Sequence, residues 1–233
     1  MDNTLFLRNK DLINQTRLDQ ATIIGAGGIG SALIQNAAIM GFNKLTIWDG
    51  DAIEEHNLST TVYNSDQLGK DKVDAACNQF LKYNSTIVPR SVYWEPGMPL
   101  CNKVFVCPDN MEVREAVYDA WKANPHREFL IDMRMGALSY EVITVTKDND
   151  NYMEWWQSSD SIPDESCTAK HTIFSGSIAA SYGLSQAFNV LMNRVYYSYI
   201  WGCLAPSSFK RECLIKPKII QEKLHATSAK SDQ

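Results

Sequence analysis

Six cysteines, at positions 77, 101, 107, 167, 203 and 213, never stand as a C-x-x-C pair. Neither a zinc knuckle nor a dithiol redox motif is therefore expected. Basic charge is also short, with 22 lysines and arginines against 27 aspartates and glutamates and a net charge of −5. That balance excludes nucleic-acid binding by bulk charge. No apolar run approaches the roughly 20 residues a bilayer needs. The longest, Ile173 to Leu191, is interrupted by serines, glycines, Gln186 and Asn189. The opening Met1-Asp2-Asn3-Thr4 has no basic segment ahead of a long apolar one, so no signal peptide is read. With no secretory signal, the cysteines read as reduced thiols of a cytoplasmic protein.

The 233 residues, 45% of them hydrophobic, are enough for one substantial core. Ala21-Thr22-Ile23-Ile24 reads as a short buried strand, Gly25 to Gly30 as a turn, and Ser31 to Met40 as a helix closed by Gly41. Lys44 to Trp48 is a second strand, which completes a βαβ unit. Asp49 to Asn64 reads as a loop, Ser65 to Tyr83 as a helix, and Ile87–Tyr93 and Val104–Cys107 as strands. Asn110–Ala123 follows as a helix, Phe129–Ile131 as a strand, and Glu141–Thr146 as an antiparallel strand. Asn149 to His171 is a long polar loop of the kind that is usually functional or disordered. Thr172 to Tyr199 reads as the longest helix. The expected fold is α/β, a Rossmann-like, mostly parallel sheet with helices on both faces, extended by antiparallel strands and a long C-terminal helix. The expected organisation is an N-terminal helical arm at 1–20, one domain at 21–210 and a C-terminal tail at 211–233.

Gly25-Ala26-Gly27-Gly28-Ile29-Gly30 matches G-x-G-x-x-G. Such a turn lets the backbone approach phosphate oxygens and aims a helix N-terminus at them. Alone the motif is weak, but here it follows a strand, opens a helix and is followed by Asp49 at the end of the next strand. Gly25, Gly27, Gly28, Gly30 and Asp49 are therefore candidate nucleotide-binding residues. Asp51, Asn57, Lys72 and Asp109 follow at successive strand ends and loops, where open α/β sheets bind ligands. A carboxylate such as Asp109, beside the glycine loop, is well placed to hold magnesium against phosphates.

The segments Gly25-Ala26-Gly27-Gly28-Ile29-Gly30-Ser31, Leu45-Thr46-Ile47-Trp48-Asp49-Gly50-Asp51, Asn57-Leu58, Gly69-Lys70-Asp71-Lys72-Val73 and Cys107-Pro108-Asp109-Asn110 with Arg114 together resemble one family. It is the ubiquitin-activating-enzyme-like adenylyltransferases of the ThiF/MoeB/HesA group, and the resemblance runs from about Ala21 to Leu191. It implies ATP- and magnesium-dependent adenylation of the C-terminal carboxylate of a small ubiquitin-like or sulfur-carrier protein, with release of pyrophosphate, by a homodimer. Carried over, Gly28 contacts phosphate, Asp49 the ribose, Asn57 the nucleotide pocket, Lys72 the phosphate charge and Asp109 the magnesium ion. The paired zinc cysteines of many members are absent, so no zinc is expected.

Two departures stand out. Thr60 occupies the place where the family often carries an arginine, and the Arg-Gln dipeptide of the N-terminal arm is missing, leaving Arg8 or Arg17 for its role. In the polar loop, Cys167 precedes Lys170 and His171. In the resembling family a cysteine of this region can take the activated carboxylate as a thioester or persulfide, and thiolate attack on an acyl-adenylate is ordinary nucleophilic catalysis. A cysteine packed under the loop is the equal alternative. Arg134, past a strand end, suits either an incoming carboxylate or a salt bridge to Asp132 or Glu141. Trp155-Trp156 suit either a partner peptide or internal packing. An NAD(P)-binding oxidoreductase and a non-catalytic subunit of a heterodimeric activating enzyme remain as alternatives. Lys72 and Asp109 count against both.

Overall fold

A computed structural model describes residues 4–83, 86–156, 172–204 and 208–215, with Thr4 and 208–215 as backbone only. Eight strands form one sheet in the order β3-β2-β1-β4-β5-β6-β7-β8. The strands are β1 (Gln20–Ile24), β2 (Lys44–Trp48), β3 (Thr86–Arg90), β4 (Lys103–Val106), β5 (Phe129–Met135), β6 (Ser139–Thr146), β7 (Tyr196–Cys203) and β8 (Ser208–Ile215). The β3-β2-β1-β4-β5 block is parallel, and β6, β7 and β8 add on antiparallel. This is the expected Rossmann-like, mostly parallel sheet.

The parallel strands are short and almost continuously apolar because helices cover both faces. Helix α1 (Gly28–Met40), α2 (Lys72–Phe80) and α4 (Ile173–Leu191) pack on one face, around Ile23, Leu33, Leu45, Phe80, Phe105 and Ala180. Helix α3 (Met111–Lys122) covers the other, with Val117 and Trp121 against Val104, Val106 and Leu130. Strand order reverses between β1 and β4, which opens a crevice at their C-terminal ends. Ile24 faces Val106 and Trp48 in register there, so Gly25, Cys107 and Asp49 leave the sheet side by side.

Several boundaries move for identifiable reasons. The helix expected through Tyr199 stops at Leu191; Asn193 turns the chain at φ 52°, and the chain re-enters the sheet as β7. Along β7 buried and half-buried residues alternate strictly, as a sheet requires of this aromatic and β-branched run. The helix expected over Ser65–Tyr83 breaks at Gly69 (φ 76°) into a single turn at Ser65–Gln67 and α2. That break lets the loop pair with the segment after β2, where the Ile53 amide donates to the Lys70 carbonyl at 2.9 Å. The N-terminal arm holds two short 3-10 turns, Thr4–Phe6 and Gln15–Arg17. Strand β3 ends at Arg90, short of Tyr93, while β5 runs on to Met135. Strand β8 crosses the 210/211 limit expected for the tail, so the sheet continues to Ile215. Among the described residues no helix is long and apolar enough to cross a membrane.

Phe105 is the aromatic centre of the sheet, fully buried on β4 and edge-on to Phe42 at 6.1 Å and to Phe129 at 5.3 Å. Phe105→Ala should cost about 3–5 kcal/mol, because three rings lose their contacts around one cavity. Urea unfolding of the variant measures it, and a loss below about 1 kcal/mol would show that the site collapses freely.

Candidate functional site

The glycine turn begins where β1 ends. Gly25 takes φ 92°, and a Cβ there would stand 3.0 Å from both the Cys107 carbonyl carbon and the Pro108 nitrogen, so the β1 and β4 exits touch through backbone. At Gly30 a Cβ would come within 2.0 Å of the Gly25 carbonyl oxygen, which presses the first turn of α1 onto the loop. Gly27 is different: a Cβ there would meet nothing within 4 Å. It is the N-cap of α1, it offers no side-chain cap, and the first intrahelical bond runs from Ser31 N–H to the Gly27 carbonyl at 2.8 Å. The amides of Gly28 to Gly30 thus lack an intrahelical acceptor at the positive end of a 13-residue helix, beside the open space at Gly27.

Two side chains pin this loop at Ala26. The Ala26 N–H donates to Asp49 Oδ2 at 2.6 Å, and the Tyr63 hydroxyl donates to the Ala26 carbonyl at 3.0 Å. Asp49 is buried at the end of β2, and its other oxygen accepts from the Asp51 N–H at 2.9 Å. Burial pushes its carboxyl above the usual range, opposed by the Lys72 charge and by these amide bonds. Tyr63, from the irregular loop after β2, is held neutral by burial and by the Asp49 charge.

Lys72 opens α2 and donates to Asp51 Oδ2 at 2.7 Å, its side chain only 9% exposed. The Tyr93 hydroxyl donates to the other Asp51 oxygen, and the Tyr93 ring lies on Gly50. Burial raises the Asp51 carboxyl, but the bonds from Lys72 and Tyr93 outweigh it and hold Asp51 below its usual range. Its bond to Asp51 pushes the Tyr93 hydroxyl up to about 12, and the charges of Asp49 and Asp109 act in the same direction. The charges of Asp49, Asp51 and Asp109 thus all act on Tyr93, and the three carboxylates follow the C-terminal ends of β2 and β4. Asp109 is exposed in the turn between β4 and α3, just ahead of Asn110, which caps α3 by accepting from the Val113 N–H at 2.9 Å. Among the described residues no three carboxylate, imidazole or thiol groups gather as a metal-ligand set.

The remaining expected residues distribute unevenly. Asn57 spends its side-chain oxygen on the Glu54 N–H at 2.9 Å, within the turn Glu55–Ser59. Thr60 bonds back to the Asn57 carbonyl at 3.3 Å, so it replaces no cation. Arg17 faces Glu128 at 3.7 Å near the N-terminal ends of the strands, away from the glycine loop of its own chain. Arg134 takes the salt-bridge alternative, with Nη2 2.8 Å from Asp132 and Nη1 donating to the Trp155 carbonyl at 2.9 Å. Trp155 packs internally, stacked on Tyr199 at 4.0 Å. Cys167 lies outside the described residues. Tyr63 and Tyr93 escaped the sequence reading because a tyrosine in an irregular loop carries no motif. Asp132 figured there only as a possible partner for Arg134.

Cys107 closes β4 behind the glycine loop, and burial pushes its thiol up to about 12, offset in part by Arg114. The unfolded thiol has an ordinary value of 9.0, so between pH 9 and 12 the native state keeps a proton that the unfolded state loses. Stability should accordingly fall as pH rises through that window. Native Cys107 should resist iodoacetamide at pH 8 and react once unfolded, as peptide mass spectrometry would show; equal labelling of both states would contradict its burial.

The ThiF family model matches residues 5–193. Ubiquitin-like modifier-activating enzyme 5 of Drosophila willistoni is 29% identical over 115 residues, 41% of this chain and 28% of the relative. Adenylyltransferase and sulfurtransferase MOCS3 of Sus scrofa is 34% identical over 116 residues, 46% of this chain and 26% of the relative. The match thus spans little more than a quarter of the length of these curated relatives. Among solved structures, E. coli MccB with ATP is similar at TM-score 0.71 and 15% identity, covering 94% of this chain and 73% of that one. PaaA is similar at TM-score 0.70 and 22% identity, covering 87% and 66%. The structural likenesses establish the fold, and the family match covers most of the sequence. The chain belongs to the ThiF family.

Proposed function

We propose that the protein is an ATP-dependent adenylyltransferase that activates the C-terminal carboxylate of a small ubiquitin-like or sulfur-carrier protein. The observation that carries this reading is the pinned glycine loop, with no side-chain cap and open space at Gly27, with Asp49 bonded to it and with Asp109 and the Lys72–Asp51 pair following the neighbouring strand ends. Family membership favours adenylation over nicotinamide chemistry.

The residues fit MgATP. Amides of Gly28 to Gly30 would receive phosphate oxygens at the α1 N-terminus. Asp49 has lone pairs left for ribose hydroxyls, since its two amide bonds use only part of a carboxylate's capacity. An ammonium carries three donors, and Asp51 takes one, so Lys72 can turn the others toward phosphate. Asp109 would supply one magnesium ligand, and phosphates and water the rest, which is how this ion is usually held. Magnesium, when bound, neutralises charge developing on the phosphates. Asn57 flanks the pocket through its amide, and Asp51 acts by orienting Lys72. Attack of a carboxylate on the α-phosphate then needs positioning and charge stabilisation more than covalent help from the protein.

The second step belongs to the same proposal. Cys167 would attack the acyl-adenylate, forming a thioester and releasing AMP. Arg8 of a second subunit is the candidate for the cation absent at Thr60, which makes a homodimer part of the reading. A reducing, cytoplasmic setting belongs to the same proposal.

ATP–pyrophosphate exchange with candidate small proteins ending in glycine tests this. Asp109→Ala should lower exchange by at least about 100-fold. Cys167→Ala should leave exchange intact and remove a conjugate cleaved by reducing agent. Absence of exchange together with absence of ATP binding by calorimetry would overturn the adenylation reading; exchange without a conjugate would overturn only the thioester.

A further inference from the structure

A fully buried carboxylate is linked through Arg114 to the Pro108–Asp109 turn. Asp132, on β5, is 0% exposed, accepts three hydrogen bonds and lies within ion-pair distance of one further guanidinium nitrogen. Arg114 Nη1 reaches Oδ1, while Arg134 Nε at 2.9 Å, Arg134 Nη2 at 2.8 Å and the Tyr152 hydroxyl at 2.9 Å reach Oδ2. Arg114 is itself buried on α3 and forks onward. Nη2 donates to the Pro108 carbonyl and Nη1 to the Met133 carbonyl at 3.1 Å. Arg134 continues to the Trp155 carbonyl, with Glu141 at 3.7 Å as a second counter-charge. One carboxylate therefore fixes the turn after β4, the end of β5 and the turn at Tyr152–Trp155.

The residue next to the anchored carbonyl is Asp109, and its charge acts on Arg114. Cutting two guanidiniums and a carboxylate out of water is costly and seldom adds stability over an apolar core, so a buried cluster of this kind suggests a geometric role. Ligand carboxylates and turns held by outer-shell partners lose about 10–100-fold in metal affinity or activity when those partners are removed.

We infer that Arg114 and Asp132 are positioning residues that set the Pro108–Asp109 turn for the divalent ion of the nucleotide complex. The inference rests on the adenylation reading. Arg114 fixes the carbonyl of Pro108, so the Asp109 carboxylate starts from one backbone position. Asp132 holds the guanidinium plane that makes this bond, and lysine could not make the forked contacts to Asp132, Met133 and Pro108 at once.

The test uses Arg114→Lys and Asp132→Asn in the full chain, with Tyr152→Phe as a milder variant that removes one hydroxyl from Asp132. Calorimetry with a non-hydrolysable ATP analogue is run with and without Mn²⁺, and circular dichroism checks folding. Folded variants should bind the metal-free analogue within about twofold of wild type. They should lose about tenfold or more of the affinity that Mn²⁺ adds, and need correspondingly more Mg²⁺ for half-maximal exchange. If Arg114→Lys unfolds, Tyr152→Phe should show the same selective loss at smaller size. Variants that keep the full Mn²⁺ gain, whatever their melting temperature, would reduce the cluster to a structural role and overturn the inference. A wild-type chain that binds no analogue would instead sink the adenylation reading itself.

Discussion

A glycine turn that presents its own amides has no internal reason to hold its shape, and here two bonds to Ala26 supply one. Asp49 accepts from the Ala26 N–H and Tyr63 donates to its carbonyl, so one peptide unit on each side is fixed from opposite directions. Everything else at the crevice depends on that constraint. Only a fixed loop lets Gly30 sit against the Gly25 carbonyl, and only then does α1 point at a defined space. Helix α4 packs on the same point, where a Cβ on Gly176 would lie 2.8 Å from the Gly28 carbonyl oxygen. The loop is held from below by β4, from the side by β2 and from behind by α4.

Charge at the crevice follows a consistent arrangement. Three acidic side chains, Asp49, Asp51 and Asp109, act together on Tyr93, and Lys72 is the cation bonded to Asp51. Such acidic groups would repel a bare polyphosphate, and the proposed ligand is accordingly one that arrives with a divalent cation. On the proposed reading, Thr60 in the place of the family's arginine would leave Lys72 and the helix dipole to carry more of the phosphate charge. The buried Asp132 cluster ties the Pro108–Asp109 turn through Arg114 without adding an exposed charge.

Much of this was legible in the sequence. Ala21–Ile24, Lys44–Trp48 and Asn110–Ala123 carry strong local patterns, and their elements lie within a few residues of those limits. Of the motif residues, Asp49 bonds to the glycine loop at Ala26, Lys72 bonds to Asp51, and Asp109 lies in the turn that leaves the neighbouring strand. What failed depended on tertiary context. Val195 to Trp201 has an apolar, aromatic character that fits helix or strand alike, and pairing with β6 decides it. Gly69 breaks a periodic segment because its neighbours pair with Ile53, a contact no local window contains. Arg134 and Asp132 stand two apart on one strand, yet their partners come from α3 and from the turn at Tyr152. Spacing along the chain cannot reveal such partners.

The central claim is that the Ala26-pinned loop receives the phosphates of a nucleotide. Amide hydrogen exchange over Gly25 to Ser31, with and without a saturating non-hydrolysable ATP analogue and Mg²⁺, tests it most directly. The account predicts that Gly28, Ile29 and Gly30 amides exchange readily in the free protein and slow by about tenfold or more in the complex. Analogue binding that leaves those three amides unchanged would contradict it.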